Sequence, residues 1–486
     1  MAMEFTRRQF FGGLSALLAT ASAKSYAAAT GAGRPNLKFG VLSDIHISPI
    51  AYMERFLGGD RASHRVRETD LFERALRYFD EQGADGVLIA GDIADWGLVG
   101  QLQAVADCWY KVFPNGRSAR DGRKVEQLFA LGNHDFEGFN YGYAKKACGQ
   151  TKIPKEEILA TDMAANWERI FHEPYRPIWQ KEVKGYTFIG GHWVSWKGID
   201  GIEAYMKEHG PALKGTRPFF YAQHAHPGNT VGGPWAWGND GGRATKLLSA
   251  YPNAVAFSGH SHYSLTDERT IWQGAFTSVG TSSLRYIYAQ VGRENGENWG
   301  SRGTRPLQMP SLPESQGEQG LLMTVSSDRI TFARRDILNG KSLGPDWVVP
   351  LDGTKPYAFA PRKAAAVAPE FAPGAKAEVR KVKGKDRSGV ELEQVVVSFP
   401  AAQPSRTSRV YEYEVRASLA DIEDVREPVC VRRVLAEGFY LAPEDDAKTA
   451  TCVIDASLFP PKNNIIFEIR PLDCFGNAGK PLTRVW

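Results

Sequence analysis

The sequence predicts two units in succession, a layered α/β domain and then an all-β sandwich. Three observations predict it. From residue 35 to about residue 289, apolar strand-like runs alternate with segments of helical spacing, the pattern of a layered α/β fold. Those runs are apolar almost throughout, as strands are when a sheet is covered on both faces. Beyond an Ala/Pro-rich stretch at residues 360–377, about seven short runs alternate apolar and polar side chains, as in a β-sandwich.

Taken in order, "LKFGVLSDIH" (37–46) reads as a strand that runs out into polar residues. "TDLFERALRYFDEQG" (69–83) has helical spacing, with Leu71, Ala75, Leu76 and Phe79 on one face and Gly83 as its stop. "ADGVLIAGDIAD" (84–95) is strand then loop, and "EQLFALGNHDF" (126–136) repeats that plan. "YTFIGGHWVSW", "PFFYAQHAHP", "NAVAFSGHSH" and "GAFTSVGTSS" continue it. Residues 291–319 form a long Gly/Pro/charge-rich loop, a kind that is either functional or disordered. "GLLMTVSSDRITFARRDIL" then reads as a hairpin turning at Ser326-Ser327-Asp328. The resulting division is 35–350 for the α/β domain, 351–376 for a linker and 377–486 for the sandwich.

Bulk composition excludes several classes. With 43% hydrophobic and 23% charged residues the chain is globular, neither disordered nor membrane-embedded. A net charge of +4 over 486 residues is too small to suggest nucleic acid or an anionic membrane as partner. The cysteines (Cys108, Cys148, Cys430, Cys452, Cys474) are far apart with no CxxC spacing, which speaks against a zinc ribbon or a disulfide-dense scaffold. A pair among the last three could bridge, or all could be buried thiols packed as small apolar residues.

The first residues, "MAMEFTRRQFFGGLSALLATASAKSYAAAT", have a charged start, a short apolar run at 12–23 and small-residue cleavage patterns at 21–23 and 27–29. These are the parts of a signal peptide, read here as residues 1–29. "TRRQFF", with Arg7 and Arg8, resembles a twin-arginine signal, an address read by the export machinery. The expected location is the bacterial periplasm or the extracellular space. The apolar run falls short of the about 20 residues that cross a bilayer. No other segment reaches that length, so no membrane span is expected in the mature chain.

The chemistry lies just past the strands. The first strand ends in Asp44-Ile45-His46, the second in Gly91-Asp92 with Asp95 three residues on, and the third in Gly132-Asn133-His134-Asp135. Later strands end in His224-Ala225-His226 and Gly259-His260-Ser261-His262. In open α/β sheets, ligands bind at that edge. Residues two apart in an extended segment point the same way, so D-x-H and H-x-H can aim two donors at one point. Burying carboxylates, imidazoles and an amide together is costly unless they gain partners, and cations satisfy all of them. Imidazole with carboxylate and amide oxygen suits first-row metal ions.

These five motifs, in this order over residues 38–262, resemble the calcineurin-like metallophosphoesterase family. The resemblance implies a four-layer fold, two mixed β-sheets flanked by helices. It implies two divalent or trivalent transition metal ions, Fe, Zn or Mn. Asp44, His46, Asp92 and His262 would hold one; Asp92 as bridge, Asn133, His224 and His260 would hold the other. Two metals about 3.5–4 Å apart activate a bridging water and clamp a phosphoryl group for in-line attack. The implied substrate is a small-molecule phosphate mono- or diester. His134 matches the family's non-ligand histidine, placed to give a proton to the leaving oxygen, with Asp135 orienting its ring. Asp95 is expected to support this set from behind. A diesterase for cyclic nucleotides or phospholipid headgroups shares the constellation, and a non-catalytic metal-dependent binding protein is the rival from another class.

Two points stay open in the sequence. The run Gln223-His224-Ala225-His226-Pro227 departs from the family's spacing; His224 is the expected ligand, with His226 as alternative or phosphate contact. Trp235 and Trp237, in the glycine-rich stretch 228–242, either wall a substrate site, stacking on a base or sugar, or pack as a surface loop. The C-terminal unit resembles a fibronectin type III module, most clearly at "FEIRPLDCFGNAGKP". His64, His172, His192 and His209 read as structural.

Overall fold

The computed structural model of the chain describes residues 36–48, 62–142, 144–145, 153, 155–193, 198–233, 236–288, 318–386, 389–420, 428–436, 438–461 and 464–486. The signal-like segment, nearly all of the loop 291–319, Cys148 and Trp235 lie outside the described residues.

The α/β domain begins with β1 (Leu37–Leu42), α1 (Ala62–Glu81), β2 (Gly86–Ala90), α2 (Val99–Val112), β3 (Glu126–Ala130) and α3 (Asn133–Glu137). It continues with α4 (Met163–Phe171), β4 (Ile178–Val183), β5 (Tyr186–Gly191), α5 (Ile202–His209), β6 (Phe219–Ala222) and α6 (Arg243–Leu248). Next come β7 (Ala254–Ser258), β8 (Ile271–Gln273), β9 (Thr277–Gly280), β10 (Gln319–Val325), β11 (Arg329–Asp336), β12 (Lys341–Ser342) and β13 (Trp347–Pro350). One sheet has the order β12-β11-β10-β1-β2-β3, with β13 also on β11; the other is β4-β5-β6-β7-β9-β8. Both are mixed. β1, β2 and β3 run parallel while β10 is antiparallel to β1. β5, β6, β7 and β9 run parallel, with β4 and β8 antiparallel at the edges.

Side-chain alternation along the strands builds four layers. On β1 and β2, Phe39, Val41, Leu88 and Ala90 face a core shared with Phe188, Phe220 and Phe257 of the second sheet. Val87 and Ile89 face the other way, onto Phe72, Leu76 and Phe79 of α1 and Val105 and Trp109 of α2. On the far side, α5 and α6 set Ile202, Met206 and Leu248 against Ile189, Tyr221 and Ala256. The helix–sheet–sheet–helix order is the fold class expected from the sequence.

Helix α1 carries the predicted face, with Leu71, Ala75, Leu76 and Phe79 all buried. It starts earlier than the apolar periodicity implied, because its first turns are polar and give no periodic signal. It ends as predicted at Gly83, in the left-handed conformation (φ 73°), with Ala84 N–H on the Phe79 carbonyl at 2.9 Å. The Phe79 ring covers Gly40 of β1, where a Cβ would lie 2.3 Å from the ring. Burial of one such side chain is worth about 1.5–3 kcal/mol. The hairpin β10–β11 turns where expected, closed by Ser326 N–H on the Arg329 carbonyl at 2.9 Å.

The Ala/Pro-rich stretch contains a helix, α7 (Phe359–Ala365). After it come β14 (Glu378–Lys385), β15 (Glu391–Pro400), β16 (Glu412–Leu419), β17 (Cys430–Leu435), β18 (Thr449–Asp455), β19 (Ile465–Leu472) and β20 (Leu482–Val485). They form sheets β14-β15-β18 and β17-β16-β19-β20 around one core that includes Val395, Val397, Tyr413, Val415, Ile454, Phe467 and Ile469. Cys108, Cys430, Cys452 and Cys474 are buried free thiols, so of the two readings of the cysteines the apolar one holds for these four. The all-β unit is tied to the α/β domain by Gln319 Nε2 on the Tyr440 carbonyl (2.7 Å) and by the Arg269 guanidinium over the Tyr411 ring (4.7 Å).

His192 is structural, as expected. It is buried, stacks on Tyr175 at 4.8 Å, and its Nδ1 accepts the Leu131 N–H at 3.1 Å. Burial, then the nearby Lys181, pulls its pKa down to about 3. The unfolded chain protonates this histidine near pH 6.5 while the folded chain does not, so stability falls as pH drops from about 6.5 toward 3. His192→Asn, keeping a neutral acceptor, is expected to flatten that slope between pH 7 and 5 in denaturant titrations. An unchanged slope would show that His192 does not carry it.

Candidate metal centre

The strand ends stay paired after the regular strands stop. Past β1, the N–H groups of Asp44, His46 and Ile47 donate to the carbonyls of Gly91, Asp92 and Ile93 past β2, at 2.9, 3.0 and 3.0 Å. Past β7, the Gly259 N–H donates to the His224 carbonyl at 3.0 Å. Within these paired ends Asp44, His46, Asp92, His260 and His262 all have positive φ, between 48° and 71°. Left-handed backbone at a non-glycine residue costs of order 1–3 kcal/mol and persists only where the surroundings over-determine it. Here it turns five polar side chains inward together.

They form two groups. In the first, Asp44 Oδ1 lies 3.0 Å from His262 Nε2 and 3.8 Å from His46 Nε2, and those two nitrogens are 3.2 Å apart. In the second, Asp92 Oδ2 lies 3.0 Å from His224 Nε2, which is 3.1 Å from His260 Nδ1. Asp92 Oδ2 is also 3.7 Å from His46 Nε2, so one carboxylate faces both groups. The groups Asp44–His46–His262, Asp92–His224–His260 and His46–Asp92–His134 each bring their donor atoms within 4.8 Å of one another. All the ligands expected from the sequence converge here except that Asn133 sits beside the groups, buried, with its Oδ1 lacking a hydrogen-bond partner among the described residues.

The second ring nitrogens decide which lone pairs point inward. His224 Nδ1 faces the Ala90 carbonyl at 2.7 Å and His262 Nδ1 the Tyr286 carbonyl at 2.9 Å. A carbonyl only accepts, so both Nδ1 atoms carry the proton and both Nε2 atoms present lone pairs. His46 Nδ1 is likewise held by Asp95 Oδ1 at 3.1 Å. Lone pairs facing lone pairs and carboxylates are repulsive unless protons or cations lie among them. Burial alone would raise the Asp44 and Asp92 carboxyls, yet the histidines hold both well below the usual range. Against burial, Asp92 and Asp44 push His224 up to about 9. Together with the orphaned Asn133 Oδ1, this donor set fits two cations.

His134 borders the groups and is partly exposed, 4.7 Å ring to ring from His46. The expected contact from Asp135 is replaced. Asp135 is buried and its carboxylate takes the N–H groups of Gly132 (2.7 Å), Ala94 (2.7 Å) and Ile93 (3.2 Å), locking two strand ends together. Burial, then Asp92, pushes its pKa up to about 7. It is Asp95 that meets His134, through its backbone carbonyl at 2.7 Å from Nδ1 and its Oδ1 at 3.5 Å. The physical reason is local: α3 begins at Asn133, and its first turn points the third side chain back at the N–H of Gly132, the residue that caps the helix. Arg285, which no motif announced, ties this support together. Its Nη1 donates to the His46 carbonyl at 2.8 Å and lies 3.3 Å from Asp95 Oδ2, and its Nε is 3.4 Å from Glu68.

His226, the alternative ligand, turns away. Its Nδ1 is 2.7 Å from Ser258 Oγ, its Nε2 contacts Ser261 Oγ, and its ring stacks on Tyr263. Trp193, also unforeseen, packs against His260 (5.6 Å) and His224 (5.8 Å).

Residues 37–264 match the family model described as calcineurin-like phosphoesterase, and the whole constellation falls inside that span. That match spans a little under half of the chain, and the His/Asp groups within it are ones that could hold metal ions. No curated protein matches it. Among solved structures it is similar to a dimetal phosphatase from Danio rerio, at 11% identity over 66% of this chain and 100% of that one, TM-score 0.37. A purple acid phosphatase from yellow lupin seeds is 12% identical over 66% of this chain and 55% of that one, TM-score 0.38. A phosphoesterase from E. coli is 12% identical over 64% and 100%, TM-score 0.26.

Gly132 shows how tightly the donors are packed. A Cβ there would lie 2.2 Å from Asp92 Oδ1, 2.5 Å from the Asp92 backbone nitrogen and 2.8 Å from His224 Cδ2. Gly132→Ala is therefore expected to weaken metal binding about 10–100-fold, read by elemental analysis after dialysis of the folded variant. Full metal content in that variant would show that Asp92 and His224 do not need this spacing.

Proposed function

We propose that the chain is an exported, metal-dependent phosphoesterase that hydrolyses phosphate mono- or diesters. The observation that carries this is Asp92, facing both ligand groups, with His134 beside it. Asp44, His46, Asp92 and His262 would hold one cation; Asp92, Asn133, His224 and His260 would hold the other. Two such ions, Fe, Zn or Mn, supply an acidified water and fixed positive charge for the phosphoryl oxygens. The protein's own part is to aim these donors and to handle the proton. With Nδ1–H given to the Asp95 carbonyl, His134 keeps Nε2 for transfer, and Asp95 and Arg285 hold it there.

Arg7 and Arg8 at the start of a signal-like segment support export by the twin-arginine route. Replacing both with lysine is expected to leave the protein in the cytoplasm, checked by fractionating host cells; unchanged export would refute that route. The three- and four-stranded sheets of the C-terminal unit, paired β14-β15-β18 and β17-β16-β19-β20, support a fibronectin type III-like module beginning near residue 377, after a linker at 351–376.

The hydrolytic reading is tested with p-nitrophenyl phosphate and its bis ester, adding Mn²⁺ or Zn²⁺ to chelator-treated protein. Metal-dependent turnover of at least one ester is expected; none, with metal bound, would sink the reading. His134→Ala should keep both metals and lose about 10²–10⁴-fold in kcat, more on poor leaving groups. Metal loss in that variant would make His134 a ligand instead.

A further inference from the structure

Between residues 36 and 350, the large hydrophobic side chains left exposed among the described residues are Trp237 and Tyr288, at 40% and 37%. They are in contact, ring centroids 5.7 Å apart and planes at 87°. Both stand on the rim of the metal centre. The Trp237 ring is 5.0 Å from His260, and the Tyr288 N–H donates to the His262 carbonyl at 3.0 Å.

Described neighbours of both rings are tied down by hydrogen bonds and packing. His226 N–H donates to the Gly238 carbonyl at 3.0 Å and Asp240 N–H to the His226 carbonyl at 2.9 Å. The Asp240 carboxylate takes the N–H groups of Gly228, Gly242 and Ala244 at 3.0, 2.9 and 2.8 Å. Gly238 has φ 75° and a Cβ there would meet His260 at 2.3 Å, so the Trp237 loop is pressed onto a ligand. On the other side Ile287 is buried in the core of the all-β unit, fixing Tyr286 and Tyr288 around it. Tyr286 lies 4.2 Å from the His262 ring.

Exposed aromatics that cluster at a polar site mark binding surfaces. Two rings at a right angle offer a flat ligand one face for stacking and one edge for a T-shaped contact. We propose that this corner holds a planar aromatic group on the alcohol part of the phosphate ester, a nucleobase or an aryl ring. The proposal rests on the phosphoesterase reading and specifies its substrate class. Trp237 and Tyr288 are then specificity residues, the first held through the Gly238 carbonyl and the second beside buried Ile287 before substrate arrives.

The test uses pairs with matched leaving groups. Adenosine 5′-monophosphate is compared with ribose 5-phosphate, and 2-(1-naphthyl)ethyl phosphate with ethyl phosphate, on metal-loaded protein. The ring-bearing member is expected to win by about tenfold or more in kcat/KM, the scale of base–aromatic stacking. Trp237→Ala and Tyr288→Ala should each pull that ratio toward one, and Trp237→Phe should restore most of it. A preference in the first pair alone assigns a nucleobase; in the second alone, an aryl ring. Calorimetric binding of the matching phosphonates, which are not hydrolysed, separates the two readings. Tighter ring-bearing phosphonate without hydrolysis of any ester keeps the corner and removes the enzyme. Equal ratios in wild type and Trp237→Ala overturn the proposal.

Discussion

Asp92 faces imidazole nitrogen on two sides, 3.0 Å from His224 and 3.7 Å from His46, and its other oxygen takes the His134 amide at 2.9 Å. A buried carboxylate cannot be left in that position by packing alone. It requires the chain past β2 to bend into the left-handed region, the chain past β1 to follow it in register, and the motif glycines to leave room. The backbone strain of five left-handed donor residues must be offset elsewhere. The four layers do this, since the strands that end at the site are buried on both faces.

Support behind the donors is divided between two carboxylates that the sequence makes look alike. Asp95 works on side chains, holding His46 and, through its carbonyl, His134. Asp135 works on backbone, holding three amides from two strand ends. Their surroundings shift them in opposite directions: Arg285 and the two histidines outweigh burial and hold Asp95 well below the usual carboxylate range. Asp135 has amides for partners and Asp92 nearby, so its carboxyl moves the opposite way. The same chemical group thus acts as an electrostatic brace at one position and as a backbone clamp at the other.

The two units of the chain meet near the site. Tyr286, Ile287 and Tyr288 alternate between the histidines and the all-β core, so that core reaches the edge of the metal centre through one buried isoleucine. Alternation of period two, the rule that builds the sheets, here links two cores through an irregular segment.

Much of this was legible in the residues. Apolar runs ending in Gly, Asp, Asn and His marked the strands that end at the site and the donor groups gathered there, because strand periodicity and side-chain chemistry are both local. The helix face of α1 and the stop at Gly83 were legible for the same reason, whereas its first turns lacked an apolar stripe to announce them. What the local pattern left open, only the tertiary structure decided. It set His224 against Asp92 and His226 among serine hydroxyls, and it set Asp95 rather than Asp135 against His134. It also brought Arg285 and Glu68 behind the site from distant positions. Those outcomes depend on which strand ends lie side by side and which way each backbone turns. The sequence by itself determined which groups are present and on which edge; contact across the sheets determined which nitrogen, oxygen or amide each one meets.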